Sequence, residues 1–179
     1  MIIVMGMHRS GTSMLAELIS STGFSCANNI GTDRWNRHGY FEDSKIMSLN
    51  DSILKLLGGS WDNPPQNNGK PPRRFRLPEW EVTKDPRFCL TLKYFDGEFK
   101  IVKIKRSCRS VARSLKKRDG FPYAKGLRLW KIYNLAMDRY PGLNLEYERL
   151  IEKKDLDKLS RYIGKTVTGK TIRKGLKHN

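Results

Sequence analysis

The residues of this chain best suited to chemistry stand near its start. Gly6-Met7-His8-Arg9-Ser10-Gly11-Thr12-Ser13 sets two glycines five positions apart with hydroxyl residues behind them, the spacing of a loop that wraps a phosphate. Glycine has no Cβ, so the backbone N–H groups can curl round an anion, and the first turn of a following helix adds partial positive charge. In a loop that holds a nucleoside triphosphate, a lysine grips the β- and γ-phosphates and the next hydroxyl binds magnesium. Thr12 stands in the lysine's place, and the cation of this loop is Arg9, three positions earlier. That suits a ligand with one phosphate at the loop and a second charged group projecting past Arg9, which is the shape of a phosphosulfate.

The surrounding pattern supplies elements to position such a loop. The apolar run 2–5 reads as a buried parallel strand. Met14, Leu15, Leu18 and Ile19 then recur with helical period until Gly23. Residues 25–42 lack a period and read as a connecting loop. Asp43 or Ser44 caps a second helix, with Ile46, Leu49, Ile53 and Leu56 expected on one face and Gly58-Gly59 at its end. "SWDNPPQNNGKPPRRFRLPEW" carries five prolines, which is expected to exclude regular structure along its length; it reads as an acceptor-side lid or as a surface loop. "EVTKDPRFCLTL" suggests a short strand breaking at Pro86, and "FKIVKIKR" a clearer one. Ser107 caps a helix through Arg118 with Val111, Ala112 and Leu115 inward. A longer helix over 124–140 is expected to bury Leu127, Trp130, Tyr133 or Asn134, and Met137. "LNLEY" is strand-like, and a final amphipathic helix carries Leu150, Leu156, Leu159 and Ile163. Strands alternating with helices predict an α/β fold: one three-layer P-loop-type domain over 1–179, its mostly parallel sheet covered by helices on both faces.

Composition narrows the function classes. The three cysteines, Cys26, Cys89 and Cys108, are odd in number and form no C-x-x-C pair, so neither a disulfide framework nor a zinc site is indicated. No apolar run approaches the ~20 residues of a membrane helix, and the N-terminal run is too short for a signal peptide; a cytoplasmic protein without a membrane span is expected. The formal charge is +17, yet residues 1–60 balance five Lys/Arg against five Asp/Glu, so the excess lies downstream. Such a surface steers polyanions, whether nucleotide, nucleic acid, acidic glycan or anionic lipid.

"GMHRSGTSM", with "KRSCRSVARS" and "LEYERL" later in the chain, resembles the sulfotransferases that use 3′-phosphoadenosine 5′-phosphosulfate (PAPS), and among them the compact bacterial type. The likeness runs over residues 3–164. It implies PAPS as sulfuryl donor, 3′-phosphoadenosine 5′-phosphate (PAP) as product, no metal, and in-line transfer to a hydroxyl. The loop from His8 through Arg9, Ser10, Gly11, Thr12 and Ser13 matches the phosphosulfate segment. Arg9 stands where cytosolic members carry lysine, and since arginine does not give up its proton its implied role is charge neutralisation. Arg106 and Ser114, eight residues apart at a strand end and in the next helix, match the 3′-phosphate clamp, a guanidinium fork and a directional hydroxyl. Tyr147 matches the tyrosine that contacts adenine. Arg173-Lys174-Gly175 resembles the element that completes the 3′-phosphate site.

The proton acceptor is the least determined role. Lys84 fits the family's sulfuryl-contacting lysine, but the histidine of the cytosolic K-T-H is absent from Lys84-Asp85-Pro86. The compact bacterial members imply instead a glutamate after the first helix, and "HGYFED" offers Glu42, whose aromatic neighbours Tyr40 and Phe41 favour a raised pKa. A carboxylate at a helix start is also stabilised by the macrodipole alone. Asp85 is the alternate base and His8 the third. A P-loop kinase lacks its loop lysine here, and a nucleic-acid module lacks its aromatic–basic interleaving; a catalytically inert nucleotide binder stays open. The acceptor is expected to be a hydroxyl compound, an acidic glycan or a small alcohol.

Overall fold

Every residue of the run Ile2–Met5 is buried and forms strand β1, as an apolar run covered on both faces should. In the computed structural model, which describes residues 1–27, 30–34, 36, 39–66 and 74–172, the strands that follow are β2 (Phe75–Arg76), β3 (Val82–Lys84), β4 (Phe95–Asp96), β5 (Lys100–Lys105) and β6 (Leu143–Glu146). The helices are α1 (Thr12–Ser20), α2 (Ser44–Leu56), α3 (Phe88–Thr91), α4 (Cys108–Asp119), α5 (Tyr123–Met137), α6 (Tyr147–Ile151) and α7 (Leu156–Ile163). The main sheet has the order β3-β1-β5-β6, and all its pairs are parallel.

Side chains alternate across β1, and the two faces gather different partners. Ile2 and Val4 join α1, α6 and α7 through Leu15, Leu150 and Leu159. Ile3 and Met5 join the other layer, where Ile53, Leu115 and Tyr133 come from α2, α4 and α5. The fold is therefore α/β, a parallel sheet flanked by helices. Because β1 lies between β3 and β5, the chain passes from one side of it to the other. The carboxyl ends of these three strands enclose the crevice where parallel α/β sheets bind ligands.

Several local expectations change. The long proline-bearing segment contains β2, whose Phe75 and Arg76 pair in parallel with Phe95 and Asp96; its residues 67–73 lie outside the described part. On α2 the buried residues are Ile46, Asn50, Ile53 and Leu54, while Leu56 is 64% exposed. The inner face is set by where β1 and α3 lie, and Asn50 is drawn in because its Oδ1 accepts from Thr91 Oγ1. On α5 Leu129 is buried in place of Leu127, since close packing of Gly126 against Ala112 rotates that face inward. The final helix is two, α6 and α7, parted by a turn in which Lys153 has φ 61. Among the described residues no helix is long and apolar enough to cross a membrane.

Candidate active site

The glycine loop leaves β1 and turns back sharply before α1. Ser10 N donates to Met7 O, Arg9 has φ 69 and Gly11 has φ 92. Two left-handed residues so close together curl the backbone N–H groups toward one side, an anion-binding arrangement. A non-glycine residue in that region carries strain and occurs mostly where function needs it. Gly11 is also the N-cap of α1 and offers no side-chain cap, so the helix's first N–H groups are available to an anion. Gly11 is required for a second reason: a Cβ there would lie 2.4 Å from Tyr147 Cδ2.

Above the loop lies an open cleft of about 670 Å³, solvent included, within the range of small-molecule sites. His8, Arg9, Gly11, Thr12 and Ser13 line it from the loop, and Glu42, Lys84, Arg106 and Tyr147 from elsewhere in the chain. Arg106, just past β5, donates from Nη1 to Arg9 O at 3.2 Å. Its guanidinium lies 4.4 Å over the Tyr147 ring. Ser114 does not line the cleft; its hydroxyl accepts from Arg9 Nε at 2.9 Å and so aims the loop cation. Three polar atoms of this region are buried without a partner among the described residues: Arg106 Nε, His8 Nε2 and Ser10 Oγ, the last on a loop residue that does not itself line the cleft. An unmatched buried polar atom is costly in a folded protein unless a ligand or a water meets it.

The far wall is an ion pair drawn out of water. Lys84, the last residue of β3, and Glu42, just before α2, are both buried, and Lys84 Nζ donates to Glu42 Oε1. Nζ donates also to Ser13 Oγ at 3.2 Å and to Tyr40 O at 3.0 Å. Ser13 thus serves this network, with Asn36 Nδ2 donating to it as well. Burial raises the Glu42 pKa above its ordinary value, outweighing the opposing attraction of Lys84. Asp43, the next residue, fixes the segment: its Oδ1 accepts from the N–H groups of Lys45 and Ile46, and its Oδ2 from Trp80 Nε1. Burial, followed by the charges of Arg87 and Arg118, holds the His8 pKa well below its usual value, so the ring is neutral near pH 7. It packs on Trp61 with centroids 4.5 Å apart.

Asp85, the alternate base, does not line the cleft. It is 1% exposed and faces Arg87, whose backbone N–H and Nη1 both donate to Oδ1; Pro86 turns the chain so that Asp85 points inward. Arg173, Lys174 and Gly175 lie outside the described residues. Sequence reasoning missed Arg118 and Asn36, both in the cleft wall. Arg118 could have been found, because it follows Ser114 by four residues and so shares its helix face; Asn36, in an aperiodic loop, gave no such signal.

No protein-family model matches the chain, and no curated protein does. Among solved structures, the sulfotransferase domain of the olefin synthase from Synechococcus PCC 7002 is similar over 95% of this chain and 75% of that one, at 16% identity and a TM-score of 0.54. Retinol dehydratase, solved with androsterone and the inactive cofactor PAP, aligns over 96% of this chain and 61% of that one, at 16% identity and a TM-score of 0.38. At such identity the first likeness speaks for the fold, a parallel α/β sheet flanked by helices.

Proposed function

We propose that the chain is a single sulfotransferase domain that moves a sulfuryl group from PAPS to a hydroxyl acceptor. The observation that carries this reading is the convergence of Arg9, Lys84, Arg106 and Glu42 at a left-handed phosphate loop, where Ser10 Oγ and Arg106 Nε are buried without a partner among the described residues. The loop amides, Ser10 and Arg9 would hold the 5′-phosphosulfate, Arg106 the 3′-phosphate, and Tyr147 would border the adenine. When bound, PAPS supplies an activated sulfuryl group and a phosphate leaving group.

The protein's own part is positioning and charge. Ser114 orients Arg9, so one cation is fixed at the loop before any ligand arrives, and electrostatic preorganisation of this kind is a large share of catalysis. Lys84 is held by three acceptors and presents its charge to the same space. Glu42 has Oε1 engaged by Lys84, leaving Oε2 to take the acceptor's hydroxyl proton. Its raised pKa suits a base better than an ordinary carboxylate, because a higher pKa increases the driving force for proton uptake. His8 is a poor base by the same logic, since a proton there would sit among Arg87, Arg118, Lys84 and Arg9. Asp85 orients the strand end through Arg87.

A panel of glycans and small alcohols incubated with PAPS labelled in the sulfuryl group tests the reading. Label should appear in at least one hydroxyl acceptor, without added magnesium, and disappear with Arg9→Ala. Transfer of label from ATP's γ-phosphate in place of sulfuryl would point to a kinase.

A further inference from the structure

The hairpin of α4 and α5 carries charge of one sign. Between Cys108 and Met137 the chain has eight Lys/Arg and a single carboxylate, Asp119, which Arg118 already holds. The helices meet closely, since a Cβ on Gly126 would lie 2.7 Å from Ala112 Cα, so their outer faces form one surface. Arg109, Arg113, Lys116 and Lys117 of α4 are exposed, as are Arg128 and Lys131 of α5. None of these six has an ion-pair partner among the described residues.

Exposed cations alone often do no more than keep a protein soluble, but these have a register. Arg109, Arg113 and Lys117 stand at i, i+4 and i+8, a line along one face of α4 with about 6 Å between successive charges. The adjacent row is Ser110, Ser114 and Arg118. Ser114 is bonded to Arg9 and Arg118 lines the cleft, so the line of cations runs beside the cleft and ends where Arg118 opens into it. Arg118 gives Nε to both oxygens of Asp119 at 2.9 Å. Its terminal nitrogens make no bond among the described residues. The donor's anionic groups already have Arg9, Lys84 and Arg106, which leaves Arg118 for something else.

We propose that the acceptor is a linear anionic glycan, bearing carboxylate or sulfate groups, that lies along the Arg109–Arg113–Lys117 line and turns into the cleft at Arg118. This rests on the sulfotransferase reading of the site. A glycan repeats hydroxyls beside its anionic groups, so any register along the line offers a hydroxyl to Glu42, whereas a DNA chain offers none along its length. Single-stranded nucleic acid is also gripped by aromatic faces set among the cations. No ring is interleaved along the Arg109–Arg113–Lys117 line, since α4 contains no aromatic residue; Phe121, beyond its end, is already covered by Lys125, 3.9 Å from the ring centroid.

Fluorescence anisotropy with a heparin-derived octasaccharide, run with and without saturating PAP, tests this. The triple variant Arg109→Gln/Arg113→Gln/Lys117→Gln should bind the octasaccharide at least about tenfold more weakly while keeping its affinity for PAP. Lys45→Gln/Lys55→Gln/Arg161→Gln, which removes equal charge from α2 and α7, should stay within about twofold of wild type. An uncharged dextran octasaccharide should not bind. Equal losses in the two triple variants would overturn the proposal, as would an oligodeoxythymidylate of matched charge that binds as tightly and with the same dependence on the α4 line. If wild type binds PAP but not the octasaccharide, the glycan inference falls and the sulfotransferase reading stands. If it binds the octasaccharide but not PAP, the surface stands and the sulfotransferase reading falls.

Discussion

Glu42 and Lys84 are brought together from positions forty-two apart, and their pairing decides how the acceptor's proton leaves. Glu42→Gln keeps the shape and removes the base, so kcat should fall by roughly 10²- to 10⁴-fold while PAP affinity, read by calorimetry, stays level. A similar kcat for Glu42→Gln and wild type under saturating substrates would remove the base from this position. The wild-type rate should fall on acidification through a pKa above the ordinary carboxylate value, and Lys84→Met should shift that limb further upward because an opposing charge is gone. Stability runs the other way. A raised folded pKa means that the folded state holds the proton more tightly, so this group's contribution is full below its unfolded pKa and declines as pH rises through the folded one. Arg106→Ala should weaken PAP binding by about 2–4 kcal/mol. It should hardly affect adenosine 5′-phosphosulfate, which has no 3′-phosphate; equal losses for both ligands would place Arg106 elsewhere. At this scale the residue types were legible and their partners were not. Nothing in Lys84-Asp85-Pro86 says that the lysine faces the cleft and the aspartate the core, because that depends on Arg87 reaching back to Asp85.

Elements were easier to read where local rules act alone. Asp43 caps α2 through its side chain and Ser107 caps α4 through Ser110 N, both visible as helix-start residues before an apolar period. β1 and β5 showed as apolar runs. The inner faces of α2 and α5 were misread by one position or more because tertiary contacts override a short period. Asn50 is buried by its bond to Thr91, and Gly126 by its approach to Ala112, neither of which hydrophobicity reports. The break between α6 and α7 was missed because no proline or glycine lies within 147–163. The loop between β1 and α1 permits the sharpest test at this scale. Gly11→Ala must place a Cβ at φ 92 and against Tyr147, so it should lower the melting temperature and weaken PAP binding by at least about tenfold, at a backbone cost on the order of 1–3 kcal/mol. Unchanged PAP affinity in a folded Gly11→Ala protein would mean that the loop's left-handed turn is not the phosphate cradle.

Across the whole molecule the sheet order joins these parts. β1 between β3 and β5 brings the glycine loop, Lys84 and Arg106 to one edge, and α2 begins beside them with Glu42. Alternating strands and helices were enough to foresee a parallel sheet covered on both faces. They did not give the strand order, which depends on crossovers that a local pattern does not encode. The downstream excess of charge and its crowding into 108–137 were plain in the sequence, and the single surface shared by the α4 and α5 cations emerges only when the two helices are packed. Donor, clamp and base are all assigned around the nucleotide, so each of these roles depends on its identity. Calorimetry of the full chain, titrated with PAP and then with ATP, each with and without magnesium, tests it most directly. Tight binding of PAP that is indifferent to magnesium, with ATP much weaker, is the predicted result; magnesium-dependent binding of ATP tighter than that of PAP would contradict it.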